Sequence, residues 1–310
     1  MAQSTEKRNF QHEKNLLFLC HPQRCTLACG QSLTASPTNP VSVPPNTTTP
    51  STPIPLNTTI PMTPSPSVNS PPGDGTELTY GLLTLVLPRE VASGASSSEV
   101  APTDGEESPF WQKTPGHLQV ILGDYYVLQG KFHLPQISIF PAQAYAEMVP
   151  AAFEAIRSVN NIIYSPDPAI TADQLPVVPF FNATQVFASN IRMISFQNGG
   201  GVRYLTQYAQ YPAPVNNHEL FYHFQGVTRD GAYYITAIFP ISIPLLAETS
   251  ESGAALPIGG VAYPDLNDPN VDLEGYYTAV ADLLNAASMD AFTPALSQLD
   301  QLIQSIWVAP

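Results

Sequence analysis

Beyond Cys29 this chain of 310 residues contains no cysteine. Its three cysteines, Cys20, Cys25 and Cys29, lie in the first 29 positions. Whatever folds after them therefore has neither a disulfide nor a thiol nucleophile. Positive charge is also scarce, with 11 Lys and Arg against 25 Asp and Glu. Four of the basic and two of the acidic residues precede Thr34, which leaves seven basic against 23 acidic residues from there on. Nucleic-acid binding needs clustered Lys and Arg to displace counterions from phosphates, so no nucleic-acid partner is expected, nor docking on anionic lipid through a basic patch. No run of about 20 apolar residues is present to span a bilayer; the longest candidate, 233–247, is interrupted by Pro240 and Pro244 and reads as strand. A G-x-S-x-G elbow and a dinucleotide fingerprint are missing too, and Gly199-Gly200-Gly201 has neither the lysine nor the strand–helix setting of a phosphate loop.

Residues 1–33 read as an atypical export signal. Lys7, Arg8 and Lys14 form a basic start, and Asn15 to Cys20 (NLLFLC) begins an apolar run that His21-Pro22-Gln23-Arg24 cuts short. Thr26-Leu27-Ala28-Cys29-Gly30 then resembles a bacterial lipobox, with Thr26 where that pattern prefers Leu. Cys29 is the residue that would be lipidated. An arbitrary or mis-started N-terminus is the competing reading. Zinc ligation by Cys20, His21, Cys25 and Cys29 is disfavoured, because no C-x-x-C knuckle is present. Residues 34–77 read as a disordered linker: Pro, Thr and Ser make up 27 of the 39 residues from 34 to 72, and repeated prolines deny the backbone its hydrogen-bond donors. A cysteine, a tether and then a domain is a lipoprotein layout. The sequons at Asn46, Asn57 and Asn182 would accept glycans only on a eukaryotic secretory route.

Residues 78–310 are read as one α+β domain. Its centre is 197–244, three strands in sequence. Asp230-Gly231 between two apolar runs predicts a tight hairpin with positive φ at both residues. Arg229 then faces Ala232, Phe224 faces Ala237 and Tyr222 faces Phe239. Parity puts Leu220, Tyr222, Phe224, Tyr233, Ile235, Ala237 and Phe239 on a core face. Glu219, Phe221, His223, Gln225, Tyr234, Thr236 and Ile238 share a mixed face, expected to be partly wet. Val202–Tyr208 should pair with the hairpin, introduced by Gly199–Gly201 as a flexible turn. Upstream, 78–92 reads as the first strand, 93–109 as a mobile polar loop, and 117–129 and 131–140 as strands, with Pro135 demanding an edge or a bulge. The period of 142–163 is helical, with a kink or a new helix at Pro150. A strand over 185–196, a helix over 275–287 and a final amphipathic helix follow. For the last, Thr293 is the expected N-cap with Pro294 behind it, and Leu296, Leu299, Leu302, Ile303 and Ile306 make its apolar stripe.

This order resembles the PsbP/Mog1-like α+β architecture, an antiparallel sheet backed by helices. Pro135–Pro141, Phe180–Phe187, Asn198–Gln210 and Asn216–Thr228 resemble an uncharacterised family of exported bacterial lipoprotein-like proteins, over roughly residues 80–308. The resemblance implies an envelope-tethered domain and carries no reaction with it.

Three groups of side chains are candidates for function. Arg203, Asn216, Asn217 and Glu219 are expected to converge at the end of the sheet, with an Arg203–Glu219 pair fixing the loop; a small polar ligand, with His223 as a further contact, is the alternative use, and His223 by itself reads as a half-exposed sheet histidine. His218-Glu219-x-x-x-His223 misses the zinc-protease spacing by one residue and sits in a strand. Asp265, Asn267, Asp268, Asn270, Asp272 and Glu274 offer the hard oxygens calcium prefers, without the EF-hand glycine and with Pro269 in the way. The expectation is a surface-tethered, non-catalytic binding or assembly domain of a bacterial cell envelope, with no cofactor and an unknown protein or envelope component as partner. The competing readings are an enzyme with a site around Arg203, His223 and Gln225, or a calcium-stabilised adhesion module.

Overall fold

The structure is a computed structural model, and it describes residues 74–125, 130–165, 170–176, 181–251 and 253–310. Cys29, the export signal, the linker up to residue 73 and the sequons at Asn46 and Asn57 lie outside the described residues. The domain is α+β and its strand pairings are antiparallel. A hairpin of β1 (Gly75–Tyr80) and β2 (Leu83–Pro88) opens it. Next come β3 (Gly94–Val100), β4 (His117–Gly123) and β5 (Gln136–Pro141). Two helices follow, α1 (Ala142–Met148) and α2 (Pro150–Ile163). Then come β6 (Thr184–Phe196), β7 (Gly199–Ala209), β8 (Phe221–Thr228) and β9 (Tyr233–Pro240). The last elements are α3 (Leu273–Ala286), α4 (Leu296–Gln304) and β10 (Trp307–Val308). The main sheet has seven strands in the order β3-β4-β5-β9-β8-β7-β6, and a small one runs β1-β2-β10. Among the described residues no helix is long and apolar enough to cross a membrane.

The hairpin register is the expected one, with Tyr222 opposite Phe239 and Phe224 opposite Ala237. The turn is longer, because the Gly231 N–H donates to the Thr228 carbonyl and of the two central residues only Gly231 has positive φ (71°). The Asp230 carboxylate instead accepts from Thr228 Oγ1 and the Ala232 N–H. That Asx-type bond removes the need for a second left-handed residue.

The core face is as parity requires. Leu220, Tyr222, Phe224, Ile235, Ala237 and Phe239 are fully buried beneath β2, α3 and α4. The apolar stripe of α4 is fully buried in the same cluster. The mixed face is not wet. Phe221, His223, Gln225, Tyr234, Thr236 and Ile238 are all buried. Helices α1 and α2 cover Tyr234 and Val227, and the 170–176 segment covers Tyr204. The sheet is therefore the middle of three layers.

Several expectations fail for identifiable reasons. The stretch 78–92 is mostly a hairpin rather than one strand, and its first strand begins at Gly75, inside what read as linker. The segment 94–100 is an edge strand rather than a loop, held by seven paired positions against β4 in spite of its serines. Pro135 sits immediately before β5, an interior strand, where it needs no ladder N–H and its carbonyl accepts from Leu122. Pro150 opens α2 at its first position, so the helical stretch is two helices. Thr293 does not cap α4. Its N–H and C=O are both used in a bridge to Ser242, which keeps it extended, and the helix starts at Leu296. Gly199–Gly201 is strand, not turn. Gly201 faces Gly226, and a Cβ at Gly226 would come within 2.7 Å of the Phe224 ring. The Phe224 ring lies over this pair and restores the apolar contact that two glycines forfeit.

Candidate functional site

The five expected site residues separate into three groups, all buried except the half-buried Glu219. Arg203 is opposite Phe224 on β7, so its side chain enters the α4 face, and it is only 2% exposed. It does not reach Glu219. Its Nε and Nη2 donate to the two carboxylate oxygens of Asp300 on α4 at 3.0 and 2.8 Å. Nη1 donates to the Asn190 carbonyl at 2.5 Å. That carbonyl is aimed inward by a bulge in β6, where Asn190 has φ 52° and is tied by its own amides to Asn285 and Leu284 at the end of α3. Tyr222 donates its hydroxyl to Asp300 Oδ1 at 3.0 Å, and the guanidinium carbon lies 5.5 Å from the Tyr222 ring centre. Burial, and then the Asp300 carboxylate, push the Tyr222 phenol well above its usual range.

Asn216, Asn217 and Glu219 form the second group, at the loop end of the sheet. Asn216 donates to the Pro214 carbonyl and to Glu219 Oε2, and its Oδ1 accepts from the Glu219 N–H. Gln207 donates to the same Glu219 oxygen at 2.8 Å. Asn217 donates to the carbonyls of Ile243 and Leu246 and to Glu248, and accepts from the Ile243 N–H. Asn217 stitches the 210–220 connection to the 241–248 segment, while Asn216 and Gln207 tie the connection to itself and to β7. Lys131 adds to the stitch, donating to the Asn217 and Ile241 carbonyls at 2.6 and 2.9 Å. Burial lowers its amine to about 8, against the pull of Glu248.

His223 forms the third group, on the opposite face from Arg203. It pairs with Tyr204 across β7 and Ile238 across β9. Gln225 beside it donates to the Tyr204 hydroxyl at 2.6 Å and to the Pro176 carbonyl at 2.8 Å, while the Tyr234 hydroxyl donates to Gln225 Oε1. This polar layer was not anticipated, because its polar residues alternate with Phe221 and Ile238 in a pattern that also suits a wet face. His223 is the exception within it. Neither ring nitrogen has a hydrogen-bond partner among the described residues. Its neighbours are rings: Tyr204 at 5.2 Å and Phe221 at 5.6 Å between centroids. Burial, with His133 adding to it, lowers the His223 imidazole to about 3. His133 sits on the other side of Phe221, at 4.4 Å, and is lowered to about 4 by burial and by His218. Both imidazoles are neutral at pH 7.

The oxygen-rich loop is organised locally. Asp265 Oδ1 accepts from the backbone and side-chain N–H groups of Asn267, and Asp268 Oδ1 from the Asn270 N–H. Asp272 caps α3 by accepting from the Gly275 N–H at 2.7 Å, and Glu274 lies in that helix's first turn. Among the described residues no three His, Cys, Asp or Glu side chains are grouped to hold a cation. An open cleft of about 400 Å³ lies between α2 and the 170–176 segment and is lined by Glu154, Arg157, Ser158, Asn161 and Pro176. None of the expected site residues lines it. Comparison of the chain with protein-family models, curated proteins and solved structures finds no match.

Proposed function

We propose that this chain is a surface-tethered, non-catalytic binding or assembly domain of a bacterial cell envelope, whose partner is a protein or another envelope component. The observation that carries the reading is the division of labour between inside and outside. The candidate polar side chains are turned into the domain and held there. Loops of the domain instead present large apolar side chains to solvent, among them Phe132, Leu134, Tyr211, Leu256, Ile258 and Leu266, while Phe110, Phe153, Tyr164 and Trp307 are exposed elsewhere. Ile258 stands at the corner of a turn closed by the Gly260 N–H and the Pro257 carbonyl, and is fully exposed. Where such side chains gather into a patch, a binding surface uses them as anchors. The lipobox-like Thr26–Gly30 segment and the Pro/Thr/Ser tether supply the attachment.

The test is photo-crosslinking from position 258 in intact cells of the native host, combined with fractionation of wild type and Cys29→Ser. One discrete adduct, together with membrane recovery that depends on Cys29, is the expected result. Recovery of the wild type as a soluble cytoplasmic protein would remove the reading.

A further inference from the structure

We propose that His223, His133 and the rings between them form an acid-operated latch, which holds the 130–135 segment on the sheet near neutral pH and releases it when the imidazoles become charged. The geometry has three parts. First, His223 lies in the domain interior with both ring nitrogens unpartnered among the described residues, a position that tolerates a neutral ring and has no acceptor ready for an imidazolium. Second, the 130–135 segment lies over Phe221, the ring next to His223, with alternating side chains. Phe132 and Leu134 are 66% and 54% exposed, while His133 between them turns inward against Phe221 and Phe181. Third, the attachments of the segment are few. The Phe132 N–H donates to the His218 carbonyl, His218 Nδ1 donates to the Gly130 carbonyl, Lys131 donates to two carbonyls, and Pro135 accepts from Leu122.

The surrounding charges do not rescue a proton on this row. The 130–135 segment contributes His133 and Lys131, both bases. The 210–220 connection contributes His218, which opposes a charge on His133, and Glu219, which is turned to Gln207 and Asn216. Strand β7 contributes the phenols of Tyr204 and Tyr208, which burial keeps protonated. Strand β9 contributes Ile238 opposite His223 and, further along, Tyr234. Glu248 acts on Lys131 and accepts from Asn217. The proton is therefore taken up by the open form, in which the imidazole meets water. Between the ordinary histidine value of about 6.5 and the lowered Lys131 value of about 8 the two forms bind protons equally and pH has no effect. Below the histidine value only the open form gains a proton, until the pH nears the lowered values of the closed form. The opening equilibrium should then rise by about tenfold per pH unit for one histidine, and by up to about a hundredfold per unit if both are freed. Opening uncovers Phe221 and Phe181, the rings against which His133 packs, and Tyr208 lies next to both.

The experiment is amide hydrogen exchange by NMR on the purified chain between pH 7.5 and 4.5, with intrinsic rates divided out. The protonation of each imidazole is read in parallel from its nitrogen shifts. The expected result is loss of protection at the Phe132 amide by about tenfold per unit below pH 6.5, with Phe224 and Ile235 unchanged. His223→Phe and His133→Phe should each flatten that slope. The proposal is overturned if Phe132, Phe224 and Ile235 lose protection together, which is acid unfolding of the whole domain. It is equally overturned if Phe132 protection does not depend on pH, or if both variants follow wild type. Should the variants not fold, the wild-type imidazole shifts decide: a charged His223 while Phe132 remains protected excludes the latch.

Discussion

Arg203 and Asp300 are the only buried charged residues among those described, and the consequence for stability can be worked through. Replacing Asp300 with Leu fills much of the carboxylate's volume but leaves a guanidinium in the interior with one of its three hydrogen bonds, the one to Asn190. Removing one partner of a buried pair costs about 3–5 kcal/mol, far more than the pair's own net worth. The Tyr222 hydroxyl also loses its acceptor, for about 1 kcal/mol more. Against a whole-domain stability of about 5–15 kcal/mol, D300L should be severely destabilised or unfolded, with D300N between it and wild type. The double variant Arg203→Met with Asp300→Leu removes the stranded charge and should recover most of the loss, and adding Tyr222→Phe should recover more. Urea denaturation at pH 7, comparing midpoints at constant slope, measures each step. If D300L costs less than about 1 kcal/mol, or the double variant costs the sum of the singles, Arg203 is not the buried, Asp300-dependent cation described above.

Two other substitutions probe local geometry. Gly226→Ala places a Cβ within 2.7 Å of the Phe224 ring and 2.8 Å of the Gly200 carbonyl oxygen, so a loss of about 1–3 kcal/mol is expected in the same urea assay. Asp272→Ala removes the α3 cap and should cost about 1 kcal/mol, read as a lowered melting temperature. Because Asp265, Asp268 and Asp272 each serve nearby backbone, chelator should leave the melting temperature of the wild type unchanged; a drop would restore the calcium-stabilised reading.

What was legible in the sequence followed from strict geometric rules. Once Asp230-Gly231 fixed the hairpin, period-two alternation assigned the side chains of 219–225 and 233–239 to faces, and the register between β8 and β9 agrees, although the turn itself is longer and Arg229 does not pair with Ala232. The stripe of α4 was legible for the same reason. Partners distant in sequence were not legible. Glu219 stood 16 positions from Arg203 and looked available, whereas the true partner is 97 residues away on a helix that only the fold brings across. Composition also misled where pairing decides the outcome. The serines of 94–100 become strand because β4 offers a ladder, and three successive glycines become strand because Phe196 and Phe224 roof them. The mixed face looked wet because alternation reports that two faces differ, and cannot report that a second layer lies over the more polar one.

The fold makes the layer over the core face and the buried pair interdependent. Strand β2 lies next to β10 and is further tied through Ser305, whose hydroxyl accepts from the Val86 N–H, and through the Ala309 N–H to the Leu82 carbonyl. Helix α4, between them in the chain, carries Asp300 to Arg203. The first hairpin is thus tied down by residues more than 200 positions later, and the helix before them pairs the buried Arg203 guanidinium. Such non-local closure makes folding slow, because loop entropy is spent before the contacts form. It also discriminates among positions for α4. A helix seated one turn out of place would keep an apolar stripe against the sheet but would leave Arg203 unpaired. The Arg203–Asp300 contact is then best understood as fixing where α4 sits, while its leucines and isoleucines supply the attraction.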